Sequence, residues 1–137
     1  MQRAIDDAVL QAVPHRAPIL RVHRILLRSR DRVRAAGCEP TGPGALPWAA
    51  GAIEGMAQTA ALLALPADAG PGGSAPQGML VAVKKFRIHA TPPPDAEIEY
   101  TVELVRRFGP TALLRGIAEC NGLNCASGEL TLWSRVP

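Results

Sequence analysis

A single carboxylate, Glu54, lies in the stretch "LPWAAGAIEGMAQTAALLAL", whose other residues are mostly small and apolar. If the stretch is helical, Gln58 follows one turn later on the same face. Burying a lone carboxylate is costly unless it is paired or used, and burial raises the pKa of a carboxyl group towards neutrality. We therefore predict that Glu54 is paired or used in an enclosed site, with Gln58 as its hydrogen-bond partner. The alternative is a structural role for Glu54 at a loop or a subunit interface.

Two prolines bound this stretch and predict a helix over about 47–65. Pro47 suits a first helical position, and Pro66 ends the pattern. The helix is apolar nearly all round, so we expect other structure to enclose it.

The rest of the chain reads mainly as strands. A short amphipathic helix is predicted over 4–13, and a loop over 37–44, where glycine and proline are concentrated. The predicted strands are two segments within 19–36 separated by a turn at 29–31, then about 79–89, 97–104, 111–120 and 125–136, with hairpin turns at 109–110 and 121–122. This order predicts one α+β domain over 1–137, an antiparallel sheet wrapped around a long central helix.

Composition limits the class of protein. Fifteen basic residues face twelve acidic ones, a net charge of +3 that weakly favours an acidic partner. The arginine-rich run Arg21–Arg34 fits a nucleic-acid surface or a solvated strand face. Without interleaved aromatics or a binding motif, we expect no nucleic-acid partner. Three cysteines without a CxxC pair argue against a disulfide framework and a metal site. The N-terminus lacks a signal-peptide pattern and no apolar run is long enough to span a membrane, which predicts a cytoplasmic protein.

Three segments resemble hotdog-fold 3-hydroxyacyl-acyl-carrier-protein dehydratases. "VPHRAPILRVHRIL" (13–26) is similar to LPHRxPxLLVDRVL, "AIEGMAQTAALLAL" (52–65) to IEAMAQAAGxLA, and "KKFRIHATPPPDAEIEYTVEL" (84–104) to xRFKRPVxPGDxLxxEVEL. "LPWAAGAIEGMAQ" and "GMLVAVKKF" look closest to the dehydratase-like hotdogs of aryl-polyene pigment clusters. The resemblance implies dehydration of 3-hydroxyacyl thioesters in fatty-acid, polyketide or pigment synthesis. It implies no cofactor beyond the phosphopantetheine that carries the substrate.

The resemblance also assigns roles to residues. Glu54 becomes the catalytic acid, and the N–H groups at the helix start polarise the thioester carbonyl, where the helix dipole is positive. The expected substrate-binding residues are Trp48, Ala49, Gly51 and Gln58. Lys84, Lys85 and Arg87 resemble a basic strip that would dock the acidic acyl carrier protein and its phosphate. An ordinary solvated strand edge is the alternative for this strip.

One departure from the family concerns the base. The dehydratases carry a catalytic histidine in a GHFPG-type loop about fourteen residues before the helix glutamate, whereas "AGCEPTGPGALP" contains no histidine. The pigment-cluster subgroup often has His-Pro where this chain has Cys38-Glu39-Pro40. His15, in "VPHR", is the candidate displaced base, with a structural hydrogen bond as its alternative. We expect His23 and His89 to be structural, and Cys38 is a remote substitute nucleophile or base.

Three functions remain open from the residues and the resemblance. The first is a homodimeric or larger homo-oligomeric dehydratase that uses Glu54 and His15. The second is a non-catalytic or half-site subunit that binds acyl carrier protein and pairs with a second hotdog protein bearing the histidine. The third is an acyl thioesterase that needs only Glu54. The missing loop histidine counts against the first function and is neutral for the other two.

Overall fold

The computed structural model describes residues 5–7, 9, 20–40, 42–63 and 78–134. His15 and most of the predicted N-terminal helix over 4–13 lie outside these residues. The elements are β1 (Arg24–Arg28), β2 (Arg32–Cys38), α1 (Trp48–Leu63), β3 (Gly78–Ile88), β4 (Glu97–Phe108), β5 (Thr111–Cys120) and β6 (Leu123–Ser134).

The six strands form one sheet in the order β1-β2-β4-β5-β6-β3, with every neighbouring pair antiparallel. The β5–β6 turn contains Asn121 and Gly122 with φ of 51° and 80°, the left-handed backbone of a tight hairpin turn. Gly109 adopts a φ of 55° in the β4–β5 turn. The antiparallel sheet, the central helix and the predicted hairpin turns are all confirmed.

The core lies between one face of the sheet and α1. Alternate residues of β4, including Ile98, Tyr100 and Val102, are buried on the face that packs against the helix, and Leu114 of β5 lies beside them. Met56 of α1 is buried on the helix side of the same core. This alternation is what a sheet with one covered face requires. Among the described residues, no helix is long and apolar enough to cross a membrane.

Enclosure of α1 is less complete than its apolar sequence predicts. Ala50 is exposed, and a line of half-buried residues continues from it along the same side of the helix: Ile53, Glu54, Ala57 and Ala61. These positions recur at helical spacing and form one stripe. We call these five residues the open stripe. Within the described part of the chain, the sheet does not fully cover it.

The loop prediction over 37–44 was wrong at its start. Gly37 and Cys38 lie in β2, where they pair with Ile98 and Glu97 of β4. A Cβ atom on Gly37 would lie 1.5 Å from the carbonyl oxygen of Arg21. Glycine is therefore required there for a close approach of two backbones rather than for a turn.

Candidate active site

Glu54 projects from the open stripe and is held by Gln58. The Gln58 Nε2 atom donates to Glu54 Oε1 at 3.2 Å. Glu54 is half-buried, whereas Gln58 is 2% exposed. The two side chains are brought together as their spacing predicts, but Glu54 is more open than an enclosed proton donor.

The orientation of the Gln58 amide is fixed by the backbone of the segment before β1. Its Oε1 atom accepts hydrogen bonds from the N–H groups of Arg21 at 2.8 Å and Val22 at 3.3 Å. An amide oxygen that accepts two N–H groups leaves the NH₂ group to face Glu54. Gln58 therefore supports Glu54 from the buried side of the helix surface. Gln58 is buried and its oxygen is occupied, so the structure shows it in this supporting role, and its contact with substrate stays a prediction.

The helix start offers fewer free donors than expected. The N–H group of Gly51 donates to the carbonyl oxygen of Pro47 at 2.8 Å, so Gly51 cannot polarise a substrate carbonyl. The reason is that Gly51 is the first residue of α1 able to make the backbone bond of a regular helix. Trp48 and Ala49 precede that bond, and Ala49 is exposed. The indole Nε1 atom of Trp48 is buried and lacks a hydrogen-bond partner among the described residues.

A buried ion pair, absent from the sequence prediction, lies against this part of α1. Arg21 Nη1 is 2.6 Å from Glu39 Oε2, and Arg21 Nη2 is 2.9 Å from Glu39 Oε1. Arg21 is 1% exposed and Glu39 is 9% exposed. The interpretation of the arginine run as a solvated strand face is therefore wrong for Arg21, whose guanidinium group lies inside the protein.

Two glycines of α1 make room for this ion pair and its neighbour Tyr100. A Cβ atom on Gly51 would lie 2.1 Å from Arg21 Nη2, and one on Gly55 would lie 2.2 Å from the Cζ atom of Tyr100. The guanidinium group and the phenol ring thus pack directly on the helix backbone, one turn apart. Burial raises the pKa of Tyr100, with a smaller opposing effect from Arg21, so the phenol remains neutral.

Glu39 lies in the segment Cys38-Glu39-Pro40, where the family resemblance led us to expect a histidine. Burial raises the pKa of Glu39, and the charge of Arg21 opposes that rise without cancelling it. Both carboxylate oxygens accept from the guanidinium group. Cys38, the suggested substitute, lies half-buried at the end of β2. The opposite charges at positions 21 and 39 were the only sequence signal for the pair, and proximity cannot be read from them.

Other basic residues lie on the strands β1, β2 and β3. Arg24, Arg32 and Arg34 form ion pairs with Glu97, Glu103 and Glu99 of β4, which agrees with a solvated strand face. Lys84, Lys85 and Arg87 are exposed on β3, as the docking prediction requires. Lys85 also approaches Glu129 at 3.7 Å and has a φ of 53°, within an irregularity of the β3–β6 pairing.

The two described histidines contribute to the frame of the sheet. His89 Nε2 lies 3.0 Å from Ser127 Oγ, and the His89 N–H group donates to Cys125. The N–H group of His23 donates to the carbonyl oxygen of Ala36. The contact of the His89 ring with Ser127 agrees with the structural role that we predicted, and for the His23 side chain that role stays a prediction.

Comparison with known proteins identifies the family of this chain. No family model matches the chain. It is 30% identical over 139 residues to the 3-hydroxyacyl-[acyl-carrier-protein] dehydratase FabZ of Streptococcus thermophilus, covering 91% of this chain and 93% of the relative. The corresponding FabZ of Streptococcus agalactiae is 29% identical over 137 residues, covering 90% and 92%.

A solved structure supports the fold independently of sequence. The Dehydratase Heterocomplex ApeI:P from Xenorhabdus doucetiae matches with a TM-score of 0.73 at 19% identity, covering 93% of this chain and 91% of that one. The fold is thus the hotdog fold, and the chain belongs to the FabZ family of 3-hydroxyacyl-[acyl-carrier-protein] dehydratases.

Proposed function

We propose that this chain acts in the dehydration of 3-hydroxyacyl thioesters carried by acyl carrier protein, with Glu54 as the acid. The observation that carries the proposal is the support of Glu54 by Gln58, whose amide orientation is fixed by two backbone N–H groups. The substrate class comes from the family to which the chain belongs. The pathway, in fatty-acid, polyketide or pigment synthesis, stays a prediction.

The geometry suggests how Glu54 would take part in the elimination. A base removes the proton from C2, the electrons of that bond form the double bond, and the hydroxyl group leaves C3 as water after receiving a proton. Glu54 Oε1 accepts a hydrogen bond from Gln58, and the Glu54 carboxyl group would supply that proton. The N–H groups of Trp48 and Ala49, at the positive end of α1, would polarise the thioester carbonyl.

We propose that the base comes from outside the described residues or from a second chain. Glu39 is a poor base in its present state because both of its oxygens accept hydrogen bonds from Arg21. His15 remains the candidate within this chain. A histidine of another hotdog subunit is the second candidate.

The open stripe favours an assembly of more than one chain. Glu54 lies on it among Ala50, Ile53, Ala57 and Ala61, and an apolar helix face of this kind needs cover. A second copy or a related hotdog protein would both cover the stripe and complete the site. The dehydratase heterocomplex named above is a precedent for two unlike chains.

Carrier-protein docking on Lys84, Lys85 and Arg87 is proposed on their exposure and charge. Phosphopantetheine would arrive with the carrier, and we propose that no other cofactor is needed. A cytoplasmic location completes the proposal.

The first experiment compares the purified wild type with Glu54→Gln on a 3-hydroxyacyl carrier-protein thioester, followed by mass spectrometry. We expect loss of 18 mass units with the wild type and a rate reduced about 100-fold or more in the variant, the usual contribution of a positioned acid. Release of the free acid instead would identify a thioesterase. Binding without turnover, restored by a second hotdog protein, would identify a half-site subunit. Absence of thioester binding would contradict the proposal.

A further inference from the structure

Arg21 and Glu39 form a buried charge pair that the proposed reaction does not use. Taking both charges out of water is costly, and apolar residues of similar volume often serve stability as well or better. The guanidinium group also packs on Gly51, near the positive end of α1, where a cation is disfavoured. Stability alone is therefore a weak explanation for the presence of this ion pair, and a role in the site is the alternative.

Arg21 contacts α1 on both sides of the turn that carries Glu54. Its guanidinium group packs on Gly51, and its backbone N–H group donates to the side chain of Gln58. These two helix positions are seven residues, or roughly 10 Å, apart along the axis. Glu54 lies between them, within about 60° of Gly51 around the helix. One residue thus spans the segment from which the acid projects.

The contacts continue from Arg21 to the acid itself. Because the Arg21 and Val22 N–H groups occupy the oxygen of Gln58, the Gln58 NH₂ group is turned to Glu54. Glu39 holds the far end of the Arg21 side chain by accepting two hydrogen bonds from its guanidinium group. Loss of Glu39 would leave a cation buried without its carboxylate, and the segment 20–22 would have to move to hydrate it.

We propose that Arg21 and Glu39 are positioning residues that hold the Glu54 carboxyl group through Gln58. The inference rests on the proposed function, since it assigns the pair a purpose in the site of that reaction. Neither residue needs to touch the substrate. Their effect is on the position of the Glu54 carboxyl group, so it should appear in turnover more than in substrate binding.

The test is a double variant, Arg21→Met with Glu39→Gln, which removes both charges together and approximately keeps the volume. Arg34→Met with Glu99→Gln is the matched control, because it removes an ion pair of the same residue types between β2 and β4, distant in sequence from the contacts on α1. We expect the first variant to lower kcat about 10- to 100-fold, the scale of a misplacement near 1 Å, with KM within about twofold. The control should keep both constants. Arg21→Lys should recover only part of the rate, since an ammonium group cannot bind both oxygens of Glu39 in the same way.

A second measurement makes the result independent of turnover. The side-chain amide protons of Gln58, assigned by comparison with Gln58→Ala, are followed by NMR in the same proteins. In the pair variant they should shift and exchange faster with water, and in the control they should not. If the wild type shows no turnover, the proposed function fails or needs a second chain, and the Gln58 amide signal alone decides this inference.

Two results would overturn the positioning role. The pair variant could keep both the wild-type kcat and the Gln58 amide signal, in which case the pair is only structural. Alternatively, Glu39→Gln alone could abolish turnover while leaving the Gln58 signal unchanged, in which case Glu39 acts directly on the substrate.

Discussion

The carboxyl group of Glu39 is subject to two opposing influences on its pKa. Burial raises the pKa above the ordinary value of 4.5, and the nearby charge of Arg21 lowers it, with burial the larger effect. The folded protein therefore holds the Glu39 proton more tightly than the unfolded chain does. The resulting contribution to the free energy of unfolding is fully present below the unfolded pKa, and it is lost as pH rises through the folded pKa.

Glu39→Gln has a side chain that cannot titrate, so it should lack this pH-dependent contribution to the free energy of unfolding. The free energy of unfolding of the wild type minus that of the variant should fall as pH rises from about 4.5. Urea unfolding from pH 4 to 8 measures it. Glu103→Gln is the control for the substitution itself, because Glu103 is an exposed partner of Arg32 at 4.0 Å. A Glu39 difference that grows with pH would mean that the attraction of Arg21 outweighs burial.

Residue-level prediction from sequence succeeded where spacing along one element decides the contact. Glu54 and Gln58 are one helical turn apart, so their pairing could be expected. Arg21 and Glu39 meet only because the segment before β1 packs beneath α1, against a glycine. In sequence, Arg21 resembles Arg24, Arg32 and Arg34, which do lie in solvated pairs. Nothing local distinguishes a buried guanidinium group from these.

At the scale of the elements, Gly55 of α1 leaves no room for a side chain. A Cβ atom at Gly55 would lie 2.2 Å from Cζ and 2.4 Å from Cε1 of the Tyr100 ring, which is buried and rigid. Alanine in place of a helical glycine normally adds up to about 1 kcal/mol of stability. We expect Gly55→Ala to reverse that sign and to lower the free energy of unfolding by about 1–3 kcal/mol through overpacking, measured by urea denaturation.

Gly116 of β5 is the matched control for this prediction. A Cβ atom there would come within 2.9 Å of the Met56 sulfur atom, which belongs to a flexible side chain that can shift. Gly116→Ala should therefore cost less than Gly55→Ala. An equal or larger loss at Gly116 would show that the rigidity of the neighbour does not set the cost.

The elements themselves were largely predictable. Period-two alternation located β4 and β5, and the asparagine–glycine turn fixed the β5–β6 hairpin. The end of β2 was missed because Gly37 follows the pattern of a loop, while its actual reason is the close approach of the Arg21 backbone. The open stripe was missed because an apolar helix predicts cover without saying whether the same chain provides it.

At the scale of the whole molecule, the sheet formed by the described residues ends in two edges, β1 and β3. The β3 edge is the longer one, and it exposes Met79 at 63% and Val81 at 59%. A long edge strand with exposed apolar side chains readily pairs with another chain unless something covers it. Together with the open stripe of α1, this edge favours the proposed oligomer over an isolated subunit.

A charge placed on this edge should therefore weaken association without unfolding the protein. We expect Val81→Lys to raise the dissociation constant of the oligomer about tenfold or more, since each factor of ten needs only about 1.4 kcal/mol and an unpaired buried charge costs more than that. Light scattering across a dilution series measures the change. Val105→Lys is the control, because Val105 is 48% exposed on β4, a strand in the interior of the sheet order and away from the β3 edge. If Val105→Lys dissociates the oligomer and Val81→Lys does not, subunits meet through the central strands and the β3 edge is covered in some other way.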